Sequence, residues 1–237
     1  MPRVYFIIIL LFFSGTFLSA AQEVELGTVP EVDSLYREDQ FYLGFTYNIL
    51  AGSENDISQS GFSGGFKIGF IRDWPLNQQR NVAIGTGLGW ALDTYGQNLF
   101  IGEGPGSEET VFEVMDEDVI DYDKNRFATQ SLELPLQFRW RTSNALSHKF
   151  WRVYTGMRLG YIYYFHSSFE QPGNSVNQVD VPELDRLRLG ATFTFGYNTF
   201  NFHFYYSLNS FFSDAAQIDG ETFDLRTFQV GLMFYIL

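Results

Sequence analysis

The 237-residue chain has no cysteine, only three histidines and only seven prolines. The missing cysteine excludes disulfide staples, thiolate nucleophiles and Cys-ligated metal centres. Positive charge is also scarce: 15 Lys and Arg stand against 28 Asp and Glu, a net charge of −13. A phosphate backbone would be repelled, so nucleic-acid partners are excluded. After residue 21 no apolar run approaches the ~20 residues that a membrane-crossing helix needs. No helical period holds over a long window, and no solenoid repeat is present.

What the chain does have is aromatic residues, 26 Phe and 14 Tyr, set in strict alternation. Arg3, the apolar run from Val4 to Phe13 and the small residues Ser19, Ala20 and Ala21 before Gln22 have the layout of a cleaved secretory signal peptide. Residues 1–21 are therefore expected to be removed, 22–38 to form a periplasmic extension and 39–237 to form one domain. No cysteine follows the cleavage site, which argues against a lipoprotein.

Eight stretches alternate with a period of two. In the first, Phe41, Leu43, Phe45, Tyr47 and Ile49 share one parity against Tyr42, Gly44, Thr46 and Asn48. Similar patterns begin near Phe62, Val82, Leu132, Arg152, Arg186, Phe200 and Thr227. An apolar, aromatic face opposed by Gly, Thr and Arg suits a wall between lipid and a polar lumen, although half of a soluble sandwich could share the pattern. The connections decide for the wall. Those near 51–60, 94–125, 166–185 and 213–225 are long and acidic, and residues 103–123 hold nine carboxylates with no Lys or Arg. Those near 72–80, 142–150 and 197–199 are short, and the first two carry Arg72, Arg80, Arg141 and Lys149. Long loops outside and short turns in the periplasm are the habit of outer-membrane barrels. The expected fold is all-β, an eight-stranded antiparallel up-and-down transmembrane barrel of the bacterial outer membrane, surrounded by outer-membrane lipid.

A barrel of eight strands has a lumen that side chains can fill. Inward Gly85, Gly87 and Gly89 leave room for Lys67, Arg139, Arg152, Arg158, Arg186 and Arg188, with Glu133 as counter-charge. These residues are expected to form a polar plug instead of a channel. A lumenal ligand or ion path is the alternative. At the periplasmic edge, Arg72, Asp73, Trp74, Arg80 and Arg141 offer aromatic and Arg contacts of the kind enriched at protein interfaces.

Other motifs dissolve on inspection. Gly85-Thr86-Gly87-Leu88-Gly89 lies inside a strand and has no following helix, so it is no nucleotide loop. Asp121, Asp123 and Asn125 suggest a calcium loop, but Arg126 occupies the required Gly position and Leu132 the required Glu. A looser, weak divalent-cation site among Glu113, Asp116, Glu117, Asp118 and Asp121 stays open beside a simply solvated acidic loop. His166, Ser168 and Glu170 could suggest lipid hydrolysis, but neighbours in one loop rarely converge into a triad. His148 falls in a short turn and His203 points into the lumen. No cofactor and no catalysis are expected.

Several stretches resemble the PorT/SprT family: Phe41-Tyr42-Leu43-Gly44, Ser63-Gly64-Gly65-Phe66, Gly69-Phe70-Ile71-Arg72-Asp73-Trp74-Pro75, Arg80-Asn81-Val82-Ala83-Ile84-Gly85 and Leu132-Glu133-Leu134-Pro135-Leu136. The Arg-Asp-Trp-Pro turn followed by Arg-Asn-Val-Ala-Ile-Gly is the more discriminating part, because Leu-Glu-Leu-Pro-Leu is common among porin-family barrels. The resemblance implies a non-enzymatic accessory of type IX secretion and gliding motility, with other secretion-machinery membrane proteins as partners. It transfers no catalytic residue. Alternatives are a general small barrel for envelope integrity or adhesion, a lipid-modifying barrel enzyme and a solute pore.

Overall fold

The computed structural model describes residues 38–51, 56–104, 109–116, 120–142 and 150–236. The expected signal peptide, the expected extension up to residue 37, and Glu117, Asp118, His148 and Lys149 lie outside the described residues. Thirteen strands follow in chain order: β1 (Gln40–Ala51), β2 (Gly64–Pro75), β3 (Val82–Gly96), β4 (Leu99–Glu103), β5 (Thr110–Val114), β6 (Lys124–Arg141), β7 (Trp151–Gln171), β8 (Asn174–Gln178), β9 (Leu187–Tyr197), β10 (Phe200–Ser207), β11 (Gln217–Ile218), β12 (Glu221–Thr222) and β13 (Arg226–Ile236).

Eight of these strands close a barrel. Each pairs antiparallel with its neighbour in the order β1, β2, β3, β6, β7, β9, β10, β13, and β13 returns to β1. Closure leaves no unpaired strand edge, which a lipid environment requires. The alternation of the sequence becomes the two faces of the wall. Phe41, Phe45, Leu88, Leu134, Leu136 and Phe202 face outward and are exposed. Tyr42, Lys67, Ala83, Glu133, Arg158 and His203 face inward and are buried.

The structure departs from the expected strand limits at the outer end. Residues 94–125 are not one long loop: β3 runs on to Gly96, β4 and β5 form a hairpin, and β6 begins at Lys124. Strand β7 likewise extends through residues 166–171 and pairs there with β8. A register shift at Gln130 and Ser131 sets them against Tyr164 and Ile162, so Tyr163 is the extra residue of a bulge. Tyr163 and Tyr164 consequently both face outward. Phe62 precedes β2 instead of belonging to it.

Above the bulge the polarity of the interior inverts. Tyr95, Phe127 and Phe165 point inward and stack, with ring centroids 4.9 Å apart for Tyr95–Phe127 and 5.6 Å for Phe127–Phe165, and Phe211 meets Tyr95 and Phe127 edge-on. Leu99 and Ile101 of β4, Ile218 of β11, and Phe212 and Phe223 complete this buried cluster. A fully buried Phe contributes about 1.5–3 kcal/mol, so the cluster gives the long connecting segments at this end of the barrel a small apolar core of their own.

Candidate functional site

The inward residues form two ionic clusters stacked along the barrel axis. The one at the short-turn end of the barrel centres on Asp73, which is 0 % exposed. Its Oδ1 accepts from Arg139 Nη1 and from Arg141 Nη1, each at 2.8 Å, and its Oδ2 accepts from Arg141 Nη2 at 2.7 Å. Gln40 accepts a further bond from Arg139, and Glu38 lies 3.6 Å from Arg152. Arg141 also donates to the carbonyl of Arg80 at 3.0 and 2.7 Å, with Arg80 itself in the left-handed backbone region at φ 54°. Gly85 leaves room for the Arg139 chain here, because a Cβ would sit 2.6 Å from Arg139 Cδ and force it to shift.

The second cluster lies nearer the long-loop end. Lys67 Nζ meets Asp93 at 3.1 Å and Glu133 at 3.5 Å, and Arg158 Nε lies 3.4 Å from Glu133. Asn48 and Gln229 donate to Asp93 at 3.1 and 3.0 Å. Arg158 Nη2 donates to His203 Nε2 at 3.1 Å, which leaves Nδ1 as the protonated nitrogen facing Thr194 Oγ1 at 2.8 Å. Tyr42, Tyr154 and Tyr235, with Ile71 and Met233, form a separate buried cluster in the lumen. The Arg139 guanidinium lies over the Tyr154 ring, 4.3 Å from its centroid. Tyr42 reaches across to β3, where a Cβ on Gly89 would collide with its hydroxyl.

The remaining inward arginines sit at the margins: Arg152 reaches the first cluster only through Glu38, and Arg186 and Arg188 lie outside both. Arg152 lies over Phe150, 4.2 Å from the ring centroid. Arg188 lies over Phe211 at 4.1 Å and donates to the carbonyls of Ser210 and Asn209, which ties the lumen to the apolar cap. Arg186 is half-buried just ahead of β9, where it donates to the Ile162 carbonyl at 3.4 Å. It joins neither ionic cluster. A cavity of about 30 Å³ bounded by Lys67, Asp93, Glu133, Arg158, Tyr205 and Gln229 lies inside the barrel. It has room for one or two waters.

The expected periplasmic contact group divides by parity. Because β2 continues to Pro75, Arg72 and Trp74 point outward while Asp73 points into the lumen. Asp73 and Arg141 are buried and committed to each other, so they cannot present a partner surface. Arg72 stacks on Trp74 at 5.1 Å on the outer wall, and Trp74 donates to Thr86 Oγ1 at 3.3 Å. Asp93, the partner of Lys67, and the tyrosine cluster were not picked out from sequence. Asp93 continues the inward parity of Gly89 and Ala91, which is the signal that marks it.

At the top of β7, Ser168 donates to Glu170 at 3.4 Å, and Lys124 donates to the same carboxylate. The Lys124 hydrogen bond holds the Glu170 carboxyl below its usual range. His166 lies parallel to Tyr164, with ring centroids 6.5 Å apart. Among the described residues no three His, Asp or Glu side chains group closely enough to hold a metal ion.

A closed eight-stranded barrel with an apolar aromatic exterior and an interior filled by paired charged side chains is a small outer-membrane β-barrel. The chain belongs to the outer membrane protein beta-barrel domain family, whose sequence profile matches residues 20–213. A search of curated proteins finds no match. Among solved structures, the chain is similar to Ail, the attachment invasion locus protein of Yersinia pestis, in complex with the heparin analogue sucrose octasulfate. That match has 11% identity and a TM-score of 0.34, and it covers 85% of this chain and 100% of that one.

Proposed function

We propose that this protein is a non-conducting, non-catalytic outer-membrane barrel that works through its outer surfaces, as an accessory that assembles or stabilises a protein-secretion complex. The observation that carries this is the filled lumen. Two buried ionic clusters and the tyrosine cluster occupy the bore, the cavity among them takes one or two waters, and an aromatic cap packs above. A side chain locked into such a network cannot line an ion path or turn over a substrate, so function falls to the rim and the wall. The resemblance of the Arg-Asp-Trp-Pro turn and its flanking strands to the PorT/SprT family supplies the secretion role, with Arg72 and Trp74 as the exposed members of that turn.

Deleting the gene and measuring export of type IX cargo and gliding tests this role. Loss of both is expected, and Ala at Trp74 should weaken export more than Ala at His166 or Ser168. Normal export in the deletion strain would sink the secretion role. A second reading, surface contact or adhesion, is favoured by the hairpins β4–β5 and β11–β12 at the long-loop end, which pack on an apolar core shared with the wall strands. An adhesion defect with intact secretion would select it.

A further inference from the structure

On the outer wall, one patch breaks the apolar pattern. The register places Phe45, Phe66 and Leu92 side by side across β1, β2 and β3. The next row outward is small, with Gly64, Thr94 and Ala128 adjacent, and it ends at His166 on β7. One step further, Arg126 stands opposite Gly96 and Ser168, and Lys124 stands opposite Glu170. The small row opens a groove of about 560 Å³, walled by Phe45, Phe66, Leu92 and Phe62 and headed by Arg126, Lys124 and His166. Phe62 is 77 % exposed, and its ring covers Gly64 so closely that a Cβ there would lie 2.7 Å away.

The height of this groove is fixed by its neighbours. Trp90 Nε1 donates to the Tyr163 hydroxyl at 2.7 Å, and Tyr163 donates to Gln130 at 2.7 Å, all on the outer face. Trp and Tyr of this kind mark the membrane–water interface. Leu92, Thr94 and Gly96 climb from Trp90 in two-residue steps of about 6.6 Å each. The cations therefore sit at headgroup level, directly above a groove that opens onto lipid.

We propose that this groove is a binding site for a phosphorylated, multiply acylated lipid of the outer leaflet. Acyl chains lie along Phe45, Phe66 and Leu92, and the phosphate meets Arg126 and His166. Lys124 is already engaged by Glu170, and Arg126 also feels the Glu170 carboxylate, so the phosphate displaces part of that local balance. An anion is the suitable occupant because Arg126, Lys124 and His166 gather at the head of the groove, a basic cluster in a chain of net charge −13. A guanidinium beside a phosphate forms charge-assisted bonds of about twice neutral strength. An uncharged lipid would use the groove but not its head.

The test is native mass spectrometry of the full barrel in detergent with bisphosphorylated lipid A, dephosphorylated lipid A, or glucosamine phosphate without acyl chains. Bisphosphorylated lipid A should be retained. Affinity should fall roughly tenfold or more when the phosphates are removed or in the Arg126→Ala/His166→Ala double variant. Thr94→Trp, which fills the groove and leaves the cations in place, should weaken lipid A to a similar extent. Should Thr94→Trp fail to fold, judged by heat-modifiable gel mobility, Ala128→Leu obstructs the same groove. Wild-type affinity in either the double variant or the groove-filling variant would overturn the proposal. So would glucosamine phosphate binding as tightly as the lipid, which would make the cations a soluble-anion site.

Discussion

Replacing Asp73 with Asn should be among the most damaging single-atom changes in this protein. The carboxylate accepts three bonds of 2.7–2.8 Å from two guanidinium groups, and all three side chains are fully buried. Asn presents one acceptor and turns an NH₂ donor toward the other guanidinium. Arg139 and Arg141 then face each other in the lumen with one counter-charge too few, because Glu38 lies beside Arg152. Breaking a buried pair by removing one partner costs about 3–5 kcal/mol, a large share of the roughly 5–15 kcal/mol that holds a typical domain. The assay is urea-dependent unfolding in lipid vesicles followed by tryptophan fluorescence, with heat-modifiable gel mobility as a check on folding. Asp214→Asn, an exposed carboxylate, should change stability by no more than about 0.5 kcal/mol. Adding Arg141→Met to Asp73→Asn should recover part of the loss, since it removes the excess cation and the two changes share one network. A cost below about 1 kcal/mol for Asp73→Asn would refute the idea that this cluster holds the periplasmic end together.

Other perturbations separate the wall, the cap and the orientation. Leu136→Arg, on the exposed lipid face, should cost about 2–4 kcal/mol of folding stability in vesicles. Phe127→Ala should cost about 3–5 kcal/mol and should make the extracellular hairpins sensitive to added protease, because Phe127 stacks between Tyr95 and Phe165. A cysteine at Glu221 should react with an impermeant maleimide on intact cells, while one at Gln78 should not, and the reverse would invert the topology. In an NMR titration the Glu170 carboxyl should lose its proton below the ordinary Glu range, and Lys124→Ala should return it toward that range. The sign is that of a depressed carboxyl: the Lys124 contact contributes at pH values above the unfolded pKa and is lost as pH falls through the folded one.

The period of two is enough to find the eight wall strands and their two faces, but it leaves Asp73, Asp93 and the Tyr42–Tyr154–Tyr235 cluster out of the bore. It works at Phe41 through Ile49 because lipid on one side and a polar lumen on the other impose opposite demands on alternate positions. It fails where lipid ends. In residues 124–131 and 162–169 the outward face is polar, at the level of headgroups, and the inward face is the aromatic cap, so the polarity reverses and the strands pass for loop. The bulge at Tyr163 adds a phase slip that no alternation rule anticipates. Counter-ion pairing was hidden for a different reason. Lys67 and Asp93 are 26 positions apart, and Arg139 and Asp73 are 66 apart. The stagger of the closed barrel decides which of them meet. Asp73 looks like a surface charge if β2 stops near Ile71, and Arg141 does so if β6 stops one residue short of it. Two more residues of the same alternation carry Asp73 into the lumen.

Single-channel recording of the wild-type monomer in planar bilayers tests the filled lumen most directly. Lys67, Asp93, Glu133, Arg158 and His203 bind one another across the bore, and Asp73 clamps Arg139 and Arg141 below them. The expected record is a flat baseline at physiological salt, with conducting steps appearing only after the network is opened by Lys67→Ala/Arg158→Ala. Reproducible nanosiemens-scale steps from the unaltered monomer would contradict it and make this barrel a pore.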